Sequence, residues 1–136
     1  MSQISTAHAR PRPSLTPDTA WWWEALDRGE LLVQRCSECG VVRHPPEPCC
    51  ASCQSLDWTT SRAAGTGTLH SFVVVHEPRV AGFDTPYVVA LVDLPEGVRV
   101  IANVVDAEPD ALAIGMDLIL DVREVGGIAL PFCRPA

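Results

Sequence analysis

The sequence predicts a mainly β chain: an N-terminal helix, a small cysteine-held module, then a five-stranded barrel. Three observations lead there. Residues 16–31, TPDTAWWWEALDRGEL, carry helix punctuation at both ends; two C-x2-C pairs, Cys36/Cys39 and Cys50/Cys53, are separated by ten residues; and five segments rich in β-branched residues follow from Thr66 onward. Five short antiparallel strands with a link between the third and fourth suggest a Greek-key barrel of the OB type. A chain of 136 residues can hold one such barrel beside a small appended module.

The opening run MSQISTAHARPRPSLTP has two arginines, three prolines and no apolar core, so residues 1–16 are expected to be a disordered lead-in rather than a secretory signal. A helix is predicted over residues 17–28: Thr16 can cap it, Pro17 suits its first position, Asp18 its positive end and Gly29 a left-handed exit. Trp21, Trp22 and Trp23 point about 100° apart, so they cannot all face one small core. Two readings stay open: both parts of the chain pack around the helix and cover all three rings, or one ring is left for a partner protein, where tryptophan is a frequent anchor.

LLVQRC reads as a strand leading into the cysteine cluster. Two C-x2-C hooks can close four thiolates, Cys36, Cys39, Cys50 and Cys53, into a tetrahedron around zinc, with HPPEP as a rigid turn between them. Four protein ligands leave no open position, so the expected role is structural, contributing on the order of 10 kcal/mol to folding a segment with little core. Cys49 is spare, because C-x3-C makes a poorer hook. A thioredoxin-like site would want one C-x-x-C at a helix start, and disulfides are disfavoured in the reducing cytoplasm where the chain is expected. No apolar run approaches the roughly 18–20 residues of a membrane span.

The barrel strands are TGTLHSFVVVHEP, YVVALVDL, VRVIANVVD, MDLILDVREV and IALPFCRP, with PRVAGFDTP as a loop, PEG and GG as turns and AEPDALAIG as the link. In the fourth, Met116, Leu118, Leu120 and Val122 alternate with polar or outward positions, giving one apolar face. Net charge is −7, and nine acidic residues from Asp84 to Glu124 face only Arg99 and Arg123, the wrong sign for a phosphate backbone. There is no G-x-S-x-G, H-E-x-x-H or phosphate-cradling loop. His76, Glu77, Asp84 and Tyr87 form the best remaining polar cluster, and catalysis there requires that they converge on one substrate atom. His44 and His70 read as structural or surface histidines, and Cys133 as a small buried hydrophobe.

The run WWWEALDRGELLVQRCSECGVVRHPPEPCCASC, with GTGTLHSFVVVHEP, PYVVALVDLPEG and IGMDLILDVREVGGIALPFCRP, resembles the DUF35 family of zinc-ribbon plus OB-fold proteins over about residues 19–135. The resemblance implies a rubredoxin-like ribbon with structural zinc. It also implies a non-catalytic accessory subunit assembled with thiolase-like enzymes, lipid-transfer-protein-like aldolases or MaoC-type enoyl-CoA hydratases in acyl-CoA metabolism, including bacterial steroid side-chain degradation. On that reading a helix-plus-ribbon part (residues 17–60) docks on the enzyme and the barrel (residues 61–136) completes its acyl-CoA site. Trp21, Trp22, Trp23, His76, Phe83, Asp84 and Tyr87 are the candidates for contact with partner or acyl-CoA. The rivals are a nucleic-acid-binding module and an independent acyl-CoA enzyme. Two positions depart from the family: Glu47 replaces a usual arginine and Gln54 a usual glycine.

Overall fold

The computed structural model describes residues 10–136; residues 1–9 of the expected tail lie outside the described residues. The element order is α1 (Ala20–Asp27), β1 (Leu32–Cys36), β2 (Val42–Arg43), β3 (Trp58–Arg62), β4 (Thr66–Val75), β5 (Tyr87–Asp93), β6 (Arg99–Val104), a 3-10 turn (Pro109–Ala111), β7 (Asp117–Val125) and β8 (Ile128–Pro135).

Helix α1 starts three residues later than the punctuation suggests. The Thr16 carbonyl accepts from the amides of Thr19 and Ala20 at 3.1 and 2.9 Å, and the two threonines cap this turn reciprocally: the Thr16 hydroxyl accepts from the Thr19 N–H and the Thr19 hydroxyl from the Thr16 N–H, both at 3.2 Å, with the hydroxyls 2.9 Å apart. That local turn uses up residues 17–19. The exit follows expectation: Gly29 has φ +78°, its N–H donates to Leu26 at 2.8 Å, and the Glu30 N–H reaches back to Ala25 at 2.9 Å. These paired bonds satisfy the last helical carbonyls.

Two sheets follow. The ribbon sheet has the order β2-β1-β3, and β3, which the sequence reading passed over, pairs with β1 along its whole length from Leu32↔Arg62 to Cys36↔Trp58. The five expected barrel strands close in the order β4-β5-β6-β8-β7. Counted within the barrel this is 1-2-3-5-4, antiparallel except where β6 and β8 run parallel through Asn103↔Phe132 and Val104↔Cys133. Strand β4 serves two neighbours, β7 through its first residues and β5 through the rest, and the register shifts between Leu69 and Ser71 where the strand bends.

The alternation of β5 buries Val88, Ala90 and Val92, and that of β6 buries Val100, Ala102 and Val104. These residues share one continuous core with Leu69, Leu118 and Cys133 from the barrel and with Trp22, Leu26, Leu31 and Val33 from the helix and ribbon. The helix therefore ties ribbon and barrel together. Phe132, fully buried, lies on the other side of β8 in a smaller cluster with Val105 and Val125.

Candidate functional site

The two cysteine hooks have the same backbone construction. In the first, the Gly40 N–H donates to the Cys36 carbonyl at 3.0 Å and the Cys36 N–H to Val41 at 2.9 Å; in the second, Gln54 donates to Cys50 at 2.8 Å and Cys50 to Ser55 at 3.0 Å. Each hook ends on a left-handed residue, Gly40 at φ +79° and Gln54 at φ +62°. The glycine expected at position 54 is thus replaced by a residue that bears the steric cost of that conformation.

This construction brings the Sγ atoms of Cys36, Cys39, Cys50 and Cys53 within 4.8 Å of one another, with Cys36–Cys53 at 3.5 Å and Cys39–Cys50 at 3.6 Å. Zinc–sulfur bonds of about 2.3 Å in a tetrahedron put sulfurs about 3.8 Å apart, so the cluster fits the ion. Cys49 stays outside it, with its thiol turned to the Cys50 carbonyl at 3.6 Å. The Cys39 amide, joined by the Glu38 amide, outweighs the opposing effect of burial and draws the Cys36 thiol down to about 6, and the Cys53 and Ser52 amides lower Cys50. At Cys53 the Ser55 amide also pulls down, but the bond to Cys36, burial and the bonds to Cys39 and Cys50 together push the thiol up to about 12. Amides aimed at sulfur favour thiolates, while four thiolates repel one another without a cation. A bound zinc ion supplies a tetrahedral cross-link with no position left for substrate.

The ribbon is pinned from beneath by Gln34, which is 1% exposed. Its amide group donates to the Glu47 carbonyl at 2.9 Å and accepts from the Glu47 N–H at 2.9 Å and from Arg43 Nε at 3.1 Å. The interior therefore uses the backbone of Glu47. Its side chain is exposed, so the charge at position 47 lies on the surface.

The second feature is a cavity of about 750 Å³ between the outer face of β5–β6, helix α1, the turn at residues 44–46 and the segment 10–13. It gathers Trp22, Trp23, Phe83 and Tyr87 from the sequence candidates, and leaves Trp21, His76 and Asp84 out of its wall. Phe83 stacks on Tyr87 at 5.3 Å, and the Arg10 guanidinium covers Phe83 at 4.6 Å while Arg10 Nη1 donates to Asn103 Oδ1 at 2.8 Å. Trp22 meets Trp23 edge-on at 4.8 Å and lies 5.4 Å from the His44 ring. Burial lowers the His44 pKa, and its Nδ1 is buried with no hydrogen-bond partner among the described residues. Trp21 instead packs on Trp58 of the ribbon at 5.1 Å and donates to the Asp18 carbonyl at 3.0 Å. His76 is exposed, and Glu77 pairs with Arg79 at 3.6 Å, so the polar loop cluster does not gather around a common point. Burial, helped by Asp121, pushes the Cys133 thiol up to about 12, as suits a core residue.

Sequence reasoning missed Arg10, His44, Arg99, Ile101 and Asn103 in the cavity wall. A signal for part of it was present. YVVALV is apolar at outward as well as inward positions, and VRVIANVV adds an outward Ile101, a pattern of strands covered on both faces.

A four-cysteine ribbon joined through a helix to a closed 1-2-3-5-4 barrel defines a zinc-ribbon/OB-fold protein. The model of the ChsH2 rubredoxin-like zinc ribbon domain matches residues 23–59, and that of the ChsH2 C-terminal OB-fold domain matches residues 60–123. A DUF35 domain-containing scaffold protein of Methanothermobacter thermautotrophicus is 33% identical over 82% of this chain and 85% of its own length. The chain belongs to the DUF35 family. It is also 48% identical, over 93% of its length, to a probable enoyl-CoA hydratase alpha subunit of Thermomonospora curvata, and 43% identical, over 79%, to the 3-oxo-4,17-pregnadiene-20-carboxyl-CoA hydratase alpha subunit of Mycobacterium tuberculosis. It spans only 40% and 34% of those two relatives. Among solved structures, a chain of the Ltp2-ChsH2(DUF35) aldolase matches with a TM-score of 0.88 and 47% identity, covering 91% of this chain and 98% of that one.

Proposed function

We propose that the chain is a non-catalytic accessory subunit. It docks on a thiolase-like or lipid-transfer-protein-like aldolase, or on a MaoC-type hydratase, and helps form its acyl-CoA site in bacterial steroid side-chain or related acyl-CoA metabolism. The observation that carries this reading is the likeness, over 91% of this chain and 98% of the other, to a chain of the Ltp2-ChsH2(DUF35) aldolase. Relatives named as hydratase alpha subunits and as a scaffold protein support it.

The helix and ribbon, residues 17–60, form the docking part. Val41 lies just beyond the first hook and Leu56 just beyond the second, and they are 42% and 71% exposed. A closed metal site holds both apolar tips rigidly, which lowers the ordering cost of an interface. The barrel, residues 61–136, with Phe83 and Tyr87 on one side, completes the acyl-CoA site, while the partner supplies the reacting groups. No helix among the described residues is long and apolar enough to cross a membrane, and six free cysteines support a reducing cytoplasmic setting. The test is co-expression with thiolase-fold and MaoC-type proteins of the same genome, followed by size exclusion, zinc analysis and acyl-CoA turnover. Co-elution with one of them, and partner activity that depends on this chain, are expected. Efficient thioester turnover by the purified chain alone overturns the reading.

A further inference from the structure

Residues 10–15 belong to no helix or strand, yet they are built into two clefts. Arg10, Pro11 and Pro13 line the cavity on the outer face of β5–β6, and Arg12, Pro13 and Leu15 line a second cleft of about 150 Å³ against Trp23 of α1 and the turn at Gly127. Arg10 anchors this segment at the loop between β4 and β5. Its guanidinium donates from Nη1 to Asn103 Oδ1 at 2.8 Å and lies 4.6 Å from the centre of the Phe83 ring and 5.8 Å from that of Phe132. The Asn103 amide is turned for this role, because its Nδ2 donates to the Val88 carbonyl at 3.2 Å and leaves Oδ1 to the arginine. Phe83 in turn stacks on Tyr87, and its N–H closes a turn on the Val80 carbonyl at 3.1 Å. Arg10 therefore links three parts that lie far apart in the sequence: the N-terminal segment, the loop at residues 76–86 and strand β6.

The link is a weak one. A guanidinium over a ring and a single bond to a neutral amide favour the closed arrangement. Arg10 Nε opposes it, being buried with no acceptor among the described residues. The same cavity has an apolar floor, with Val89 and Leu91 half-buried and Ile101 64% exposed. We infer that residues 10–15 are an intramolecular strap and Arg10 its latch: closed, they hold the Phe83 loop at the mouth of the cavity, and unlatched, the loop moves away and the floor opens. The isolated chain thus guards its own apolar wall, and any occupant of that wall must first displace the strap. The latch is a property of this chain alone, so the subunit reading can fail without touching it.

The experiment uses the full zinc-loaded chain without a partner and compares it with Arg10→Ala, Arg10→Lys, Asn103→Ala and the Arg10→Ala/Asn103→Ala double variant. Amide exchange at residues 80–84 reads the loop, and fluorescence of Nile red, an uncharged dye for apolar surfaces, reads the cavity floor. Arg10→Ala is expected to speed exchange of the Phe83 amide about tenfold and to raise dye binding by a similar factor. Zinc content and protection in β4–β8 should stay unchanged. Arg10→Lys keeps the charge but loses the flat contact with Phe83, and should fall between. Asn103→Ala should speed the loop in the unaltered chain and add little once Arg10 is gone, since the two act as one contact. Unchanged loop exchange in Arg10→Ala, a faster loop with no gain in dye binding, or effects of the two alanine substitutions that simply multiply, each overturns the inference. Loss of protection throughout the barrel in Arg10→Ala overturns it as well, since Arg10 would then hold the fold instead of a gate.

Discussion

At Gly67 a methyl group has no room: a Cβ there would stand 2.6 Å from Val92 Cγ1 and 2.8 Å from the Asp93 carbonyl oxygen. The backbone oxygen cannot give way without moving β5, so Gly67→Ala should lower stability by about 1–3 kcal/mol, read as a drop in the urea midpoint. Gln54 presents the opposite case. Its φ of +62° suits glycine, and its side chain makes only a 3.3 Å bond to the Ala51 carbonyl, so Gln54→Gly should raise stability by up to about 1 kcal/mol in the zinc-loaded protein. His44 gives a pH dependence. Burial holds its pKa below the ordinary value, so as pH falls through about 6.5 the unfolded chain takes up a proton that the folded chain refuses. Stability is then lost until pH reaches the folded pKa and no further below it. His44→Phe removes that component, and urea midpoints measured from pH 7.5 to 5 should fall less steeply in the variant. At this scale the sequence was most legible where spacing alone decides chemistry, as for the four cysteines. It was opaque where the backbone acts: nothing in the letter at position 47 tells that Gln34 holds its N–H and its carbonyl together.

The ribbon and the barrel should respond differently to loss of metal. Strands β1, β2 and β3 contribute few core residues, whereas α1 shares the main core with the barrel. Cys36→Ser or Cys53→Ser should therefore remove zinc and abolish amide-exchange protection in β1–β3, leaving β4–β8 and α1 protected. Loss of protection throughout would mean that the metal supports the whole chain. The elements differ in legibility for related reasons. Five barrel strands could be read because turn formers bound them and their apolar residues are buried by the chain's own fold. Strand β3, WTTSR, has no fully buried residue; it is a strand because the cross-linked hooks align it with β1, a cause that periodicity does not record. The start of α1 was misplaced because residues 17–19 form a separate turn, capped by the Thr16 hydroxyl at the Thr19 N–H, before regular helix begins at Ala20. The cavity escaped because segment 10–13 reads as a polar, proline-rich tail, and its packing on the barrel depends on Arg10 finding Asn103 ninety-three residues away.

For the whole molecule, the continuous core from Trp22 and Leu26 to Leu120 and Cys133 means that the docking part is not carried on a free linker. Cys36→Ser should therefore lose co-elution with an enzyme partner through local unfolding of the ribbon. An Ile101→Glu variant should keep it if the tips at Val41 and Leu56 are the contact, and size exclusion of the co-expressed pairs checks both outcomes. The parallel pairing of β6 with β8 bears on the order in which the chain takes shape as it leaves the ribosome. Cysteines 36 to 53 emerge early and can capture their ion while later residues are still being made. The barrel stays an open sheet, with β6 offering an unpaired edge, until Phe132 and Cys133 arrive, so arrested or shortened products present an aggregation-prone rim beside an already finished ribbon.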